Sequence, residues 1–160
     1  MAIDLRHRKA RLPGSFPASW SFANIFDFDP IQRVQVIKQG LPATVLGDMA
    51  ARMGMSKEKL YFTLGLPRAT VERKARESKP LSPEESSRVL GIGHLVGQVE
   101  RMLAESGQAE GFDAAAWVAR WIERPVPALG GMRPAELMDT AEGQSIVSNL
   151  LSRLQSGAYS

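Results

Sequence analysis

A chain of 160 residues, 44% hydrophobic and 23% charged, is ordinary globular material for one domain or two small ones. It has no cysteine, which removes disulfides, thiolate nucleophiles and the usual zinc sites and fits a reducing cytoplasm. No apolar run approaches the ~18 residues of a membrane span. The net charge of +3 hides an asymmetry: residues 1–80 carry 14 Lys/Arg against 7 Asp/Glu, hence +7, and residues 81–160 carry 6 against 10, hence −4. A basic half joined to an acidic half predicts two surfaces with different partners, the basic one facing phosphates.

Residues 1–28 have no helical period. Arg6, His7, Arg8, Lys9 and Arg11 predict a flexible basic arm, and no apolar stretch follows them as a secretory signal would require. Phe16, Trp20, Phe22, Phe26 and Phe28 then predict a segment that docks on the body. They read as packing anchors rather than a base-stacking platform, because such platforms usually lie on sheets.

Asp29-Pro30 is an N-cap followed by the first helical position, with Gly40 as the stop and Ile31, Val34 and Ile37, with Val36, as the expected apolar face. Pro42 is expected to open a second helix to about Arg52, with Val45, Leu46, Met49 and Ala50 inward and Gly54 ending it. Ser56 caps a third helix to about Leu64, Gly65-Leu66 makes a tight turn, and Pro67 starts a fourth helix to about Glu77. Helix, short turn with Gly, helix is the helix-turn-helix arrangement. Leu66 in the turn and Val71, six past Gly65, are the apolar residues that fix its crossing. The second helix of the pair offers Arg68, Thr70, Arg73, Lys74 and Arg76, long cations and a hydroxyl that can reach phosphates and purine edges. A competing frame, Ala50-x3-Gly54-x5-Leu60, makes residues 56–64 the reading helix but supplies only Lys57 and Lys59. Charge favours the later frame. Its departure from the usual pattern is Tyr61, where a small residue normally lets the two helices cross.

Ser78-Lys79-Pro80-Leu81 marks a boundary, and Ser82-Pro83-Glu84-Glu85 is a capping box that opens the longest helix, to about Glu105. Val89, Ile92, Val96, Val99 and Leu103 recur every three or four residues, widened by Leu90, Leu95 and Met102, as in a central core helix. Arg88 is expected to hold an acidic side chain. His94 has no Ser, Asp or second His at a matching spacing and reads as a core or surface histidine. Asp113 caps a helix over 114–122, with Trp117 and Trp121 one turn apart on an expected core face. Pro125 and Pro127 force a corner. Gly130-Gly131 is a turn, since neither the strand nor the Lys-Ser/Thr of a phosphate cradle accompanies it. Pro134 opens a short helix, and a last one runs over 142–155 with Ile146, Leu150, Leu151 and Leu154 as its stripe, bordered by Val147. Gly157 stops it, leaving Ala158-Tyr159-Ser160 as either a frayed tail or a plug for a cleft.

The run W-I-E-R-P-V-P-A-L-G-G-M-R-P-A-E-L-M-D-T-A-E-G, followed by a helix closing on Gly157-Ala158-Tyr159, resembles the C-terminal toxin-binding domain of the Xre/MbcA/ParS antitoxins. L-S-P-E-E-S-S-R-V-L at 81–90 resembles the signature that follows the basic helix in that family, and residues 56–77 resemble an Xre-type helix-turn-helix. The likeness covers 30–160 and is sharpest at 81–90, 121–140 and 153–159. It implies an all-α protein with an arm (1–28), a helix-turn-helix domain (29–80) and a toxin-binding domain (81–160). In the family the first of these domains binds the operon's own promoter, and the second caps a RES-domain toxin that degrades NAD⁺.

Residue by residue, the resemblance carries DNA contact onto Arg68, Thr70, Arg73, Lys74 and Arg76. It carries toxin contact onto Trp121, Arg133, Asn149, Arg153 and the end Ser156, Gly157, Ala158, Tyr159 and Ser160, which would enter the toxin's cleft. The implied role is an antitoxin acting by steric occlusion: no enzyme, no cofactor, no metal. Its implied partners are a RES-domain toxin, operator DNA and a second copy through the N-terminal domain, in the cytoplasm and on the nucleoid when DNA-bound. The competing reading is a helix-turn-helix regulator without a toxin partner, whose C-terminal half only dimerises or senses a ligand. An enzyme is the weakest of the three, for the sequence offers no histidine pair, carboxylate cluster or glycine-rich loop after a strand.

Overall fold

The computed structural model describes residues 16–157 and divides them into eight α-helices: α1 (Phe22–Asp27), α2 (Pro30–Gln39), α3 (Val45–Met53), α4 (Lys57–Leu64), α5 (Arg68–Arg76), α6 (Pro83–Glu105), α7 (Ala114–Trp121) and α8 (Ala141–Gln155). Two 3-10 turns, Pro127–Leu129 and Pro134–Leu137, join α7 to α8. The fold is all-α, with no strand among the described residues. The arm residues Arg6, His7, Arg8, Lys9 and Arg11 and the end residues Ala158, Tyr159 and Ser160 lie outside them.

α6 is the axis. Its capping box is complete: the Glu85 N–H donates to Ser82 Oγ at 3.1 Å and the Ser82 N–H donates to Glu85 Oε2 at 3.2 Å. Val89, Leu90, Ile92, Leu95 and Val96 are buried along it, each stabilising the fold by roughly 1.5–3 kcal/mol. α1, α2, α7 and α8 all pack on this helix.

α1 approaches closest, and Gly97 is the reason. A Cβ there would collide with the Phe22 carbonyl and the Phe26 side chain, so only glycine lets the two backbones meet. The aromatic segment is therefore a short helix capped by Ser21, whose Oγ accepts from the Asn24 N–H. Its rings are packing anchors: Trp20 stands edge-on to Phe22 at 5.1 Å, Phe16 lies 6.1 Å from Trp20, and the Arg52 guanidinium covers Trp20 at 3.9 Å.

Three expectations about faces and starts need correction. α2 buries Val36, whereas Ile31 and Val34 are exposed, because the helix meets α6 along one edge that Arg33, Val36, Ile37 and Gly40 occupy. The second helix begins at Val45, not Pro42. Pro42 instead bridges to Pro80, with the Leu81 N–H donating to the Leu41 carbonyl at 2.8 Å and the Leu41 N–H to Ser86 Oγ at 3.0 Å. In α8 the inner face is Gly143, Gln144, Val147, Leu150 and Leu151, while Ile146 and Leu154 are exposed. Gln144 takes an inward position because Nε2 donates to the carbonyls of Arg88 and Met138, both at 2.9 Å. A buried amide so satisfied costs little.

Candidate functional site

Two consecutive helix-glycine-helix units lie in the N-terminal half. Gly54 (φ 67, ψ 31) ends α3 and Gly65 (φ 65, ψ 35) ends α4, both in the left-handed conformation that glycine adopts freely. Both frames read from the sequence thus have a real turn. They differ in what they expose: α4 presents Lys57, Glu58, Lys59 and a bare Phe62, while α5 presents Arg68, Arg73 and Arg76. Tyr61 is buried between α4 and α5, and a notch of about 400 Å³ opens beside it, lined by Thr44, Gly47, Lys57, Glu72 and Arg76. Burial, then Glu72 and Glu58, raises its hydroxyl pKa above the ordinary value.

On α5 only Val71 is fully buried. Arg73 and Arg76 point outward one turn apart. Arg76 makes no ion pair among the described residues, and Arg73 reaches Glu77 at 3.7 Å. Arg68 sits between two carboxylates, Glu58 at 3.4 Å and Glu72 at 3.2 Å. Thr70 is half-buried. Lys74 turns inward, its Nζ donating to Glu85 at 3.1 and 3.2 Å with both side chains more than four-fifths covered. The structure therefore brings Arg73 and Arg76 together on the outer face, flanks them with Arg68, and commits Lys74 to the start of α6.

The C-terminal half carries its predicted residues in separate places. Asn149 and Arg153 share the outer face of α8 with Ile146, which the sequence reading had put in the core. Ser156 and Gly157 (φ 71) follow directly, both exposed. Arg133 is elsewhere: it donates to Glu123 at 2.7 Å, and Glu123 also pairs with Lys59 of α4 at 3.6 Å. Trp121 is half-buried and stacks on Trp117 at 5.5 Å and 12° between planes. Nothing among the described residues joins Trp121, Arg133 and Asn149 into one cluster.

Arg88 holds no carboxylate among the described residues. Its Nη1 donates to the Gly65 carbonyl at 3.0 Å, fixing the turn between α4 and α5. His94 is half-buried against Phe26, and burial, helped by the Arg33 charge, lowers its pKa to about 4. No group of three or more His, Cys, Asp or Glu side chains suited to a metal ion occurs among the described residues. Among the described residues no helix is long and apolar enough to cross a membrane.

Comparison with known proteins bears directly on these two surfaces. Residues 32–92 match the antitoxin Xre-like helix-turn-helix domain, and residues 109–157 match the antitoxin Xre/MbcA/ParS C-terminal toxin-binding domain. A protein of Sphingobium sp. (strain YBL2), named Prs ADP-ribosylating antitoxin, is 42% identical over 157 residues, covering 98% of each chain. The chain belongs to the Xre/MbcA/ParS antitoxin family. Two Xre antitoxins are more distant. That of Pseudomonas putida (strain KT2440) is 24% identical over 92 residues, 58% of this chain and 52% of its own, and that of Yersinia enterocolitica is 24% identical over 128 residues, 79% and 80% respectively. The antitoxin thus has a helix-turn-helix domain, which implies DNA binding, and a toxin-binding domain, which implies a toxin partner. Ile146, placed by its spacing in the apolar stripe of α8, and Phe62 on α4, which the sequence did not single out, are both exposed. Only their solvent exposure distinguishes them from core residues, and spacing does not report it.

Proposed function

We propose that this antitoxin neutralises a RES-type, NAD⁺-consuming enzyme by covering its active site, and that it binds its own operon's promoter as a homodimer. The reading rests on the near-full-length similarity to the Sphingobium protein, whose name couples an antitoxin to ADP-ribosylation. ADP-ribosylation takes its ADP-ribose from NAD⁺, so a cleft that performs it must accommodate a pyrophosphate. A basic cleft of that kind suits the acidic half of this chain, which carries −4 over residues 81–160.

Asn149, Arg153 and the end Ser156–Ser160 form the occluding edge in this reading, with Trp121 and Arg133 as separate toxin contacts on α7 and the following corner. α8 is preformed, which keeps the ordering cost of association small. The chain performs no chemistry itself; it excludes NAD⁺ by volume in the cytoplasm, where NAD⁺ is held. On the DNA side, Arg73 and Arg76 contact phosphates or purine edges, Arg68 and Thr70 flank them, and Lys74 contributes through its hold on α6. The working boundary between the two functions is residue 80/81.

The test is to express the partner enzyme with the full chain or with a chain ending at Gly157, following growth and NAD⁺. Rescue by the full chain alone supports occlusion by the end residues. Equal rescue by both moves occlusion to the helical body. Failure of both sinks the antitoxin–toxin pairing for that enzyme. A promoter fragment titrated with the wild type and with Arg73→Ala tests autoregulation, and equal binding would remove α5 as the reading helix.

A further inference from the structure

Between α2, α6 and α8 lies an open polar groove of about 510 Å³, lined by Arg33, Ser87, His94, Ser145, Ser148 and Asn149. Its lining contains no Asp or Glu, although α8 and its surroundings are the acidic half of the chain. Arg33 is half-buried there and makes no side-chain hydrogen bond or ion pair among the described residues. A guanidinium in that position has lost part of its hydration without gaining a counter-charge, and burial accordingly lowers its pKa. His94 beside it stays neutral near pH 7, so it adds no charge of its own to the groove and supplies no counter-charge to Arg33.

We propose that this groove receives an acidic side chain of the toxin, held by Arg33 in a bidentate pair and by the hydroxyl of Ser145 and the amide of Asn149, the Ser148 hydroxyl being committed to Gln98 Oε1 at 2.8 Å. The proposal rests on the toxin partnership argued above and enlarges the surface beyond α8. Three observations select a protein carboxylate as the occupant. One wall of the groove, Ala141 to Asn149, lies inside the matched toxin-binding domain, so the groove continues that surface. Ile31 and Val34 stand exposed on α2 next to Arg33, and apolar side chains beside an arginine, a residue enriched at the centre of interfaces, suit a protein occupant better than a free ion. The groove is also wide enough for a side chain with part of its backbone, more than a single small ion fills.

The experiment measures binding of purified toxin to the full-length antitoxin by calorimetry, with thermal melting recorded for every variant. Arg33→Ala is expected to weaken toxin binding about tenfold or more while leaving the melting temperature equal or higher. Arg33→Lys is expected to recover only part of the affinity, since an ammonium cannot form two parallel bonds to a carboxylate. Ser145→Trp, which fills the groove and leaves Arg33 in place, is expected to weaken binding likewise. The wild-type affinity should fall more steeply with salt than that of Arg33→Ala. Wild-type binding that neither Arg33→Ala nor Ser145→Trp alters overturns the groove assignment. A loss of self-association, or of promoter binding, at unchanged toxin affinity overturns it too, assigning the groove to a second copy or to DNA. A wild-type chain that binds no toxin at all would instead defeat the antitoxin pairing, which the same titration reports separately.

Discussion

α5 keeps one fully buried side chain, Val71, while α8 buries Val147, Leu150, Leu151 and the amide of Gln144. Both helices present charged or polar residues outward, and both belong to partner-binding domains. α5 is an electrostatic element resting lightly on the body, so its surface can change with little effect on folding. α8 is a piece of the core whose outer face happens to be exposed. Function and stability separate by residue on α8 and almost by whole element on α5.

Breaking α8 from within gives the largest effect. Leu151→Ala should cost about 2–5 kcal/mol in urea unfolding, because it opens a cavity against α6. Lys74→Ala comes next and tests the inward end of α5. Removing a covered cation that Glu85 accepts should cost about 1–2 kcal/mol, far more than the other α5 cations. The pH dependence is of similar or smaller size. His94 has its pKa depressed from 6.5 to about 4 when folded, so unfolded chains take up the proton first. Its stability is complete above pH 6.5 and declines as pH falls toward 4, by on the order of 1 kcal/mol after solvent screening. His94→Phe should flatten that decline in urea titrations at stepped pH.

The smallest stability effects carry the functional contrast. Arg76→Ala should stay within about 0.5 kcal/mol of wild type and lower the salt slope of promoter binding by about one. On α8, Ile146→Ser should be equally silent in unfolding yet weaken toxin binding. If it unfolds the protein instead, the outer face is structural and the contrast between the two helices collapses.

The elements whose ends are written locally were legible in the sequence. Asp29-Pro30, Ser82 with Glu85, Gly54, Gly65 and Gly157 each fix a helix boundary with groups two to four residues away, and the structure shows those caps. What depends on distant partners was not legible. Gln144 is outside the apolar stripe read from the sequence, and it turns inward because its amide reaches the carbonyl of Arg88, 56 positions earlier. Ile31, Val34 and Ile146 had the right spacing for a core, but spacing cannot say which edge of a helix the neighbour touches. Six residues of α1 are too few to show a period, and its docking is signalled on another helix by Gly97. Among the candidate contacts, charge type was readable on α5, whereas the direction of Lys74 was set by Glu85 across a helix break.

Arg88 has a consequence for how such proteins can be recombined. Its side chain grips the carbonyl of Gly65, and its own carbonyl accepts from Gln144. Asp139 packs against the same glycine. Exchange of modules between related antitoxins at the apparent seam near Pro80 would separate the Gly65 turn from Arg88 and Asp139, whereas Arg88 and Gln144 lie on the same side of that seam and stay paired. The inheritable unit therefore extends from the Gly65 turn to Gln144. Substitution along the outer row of α5 leaves that contact intact, whereas transplanting the domain that contains α5 does not.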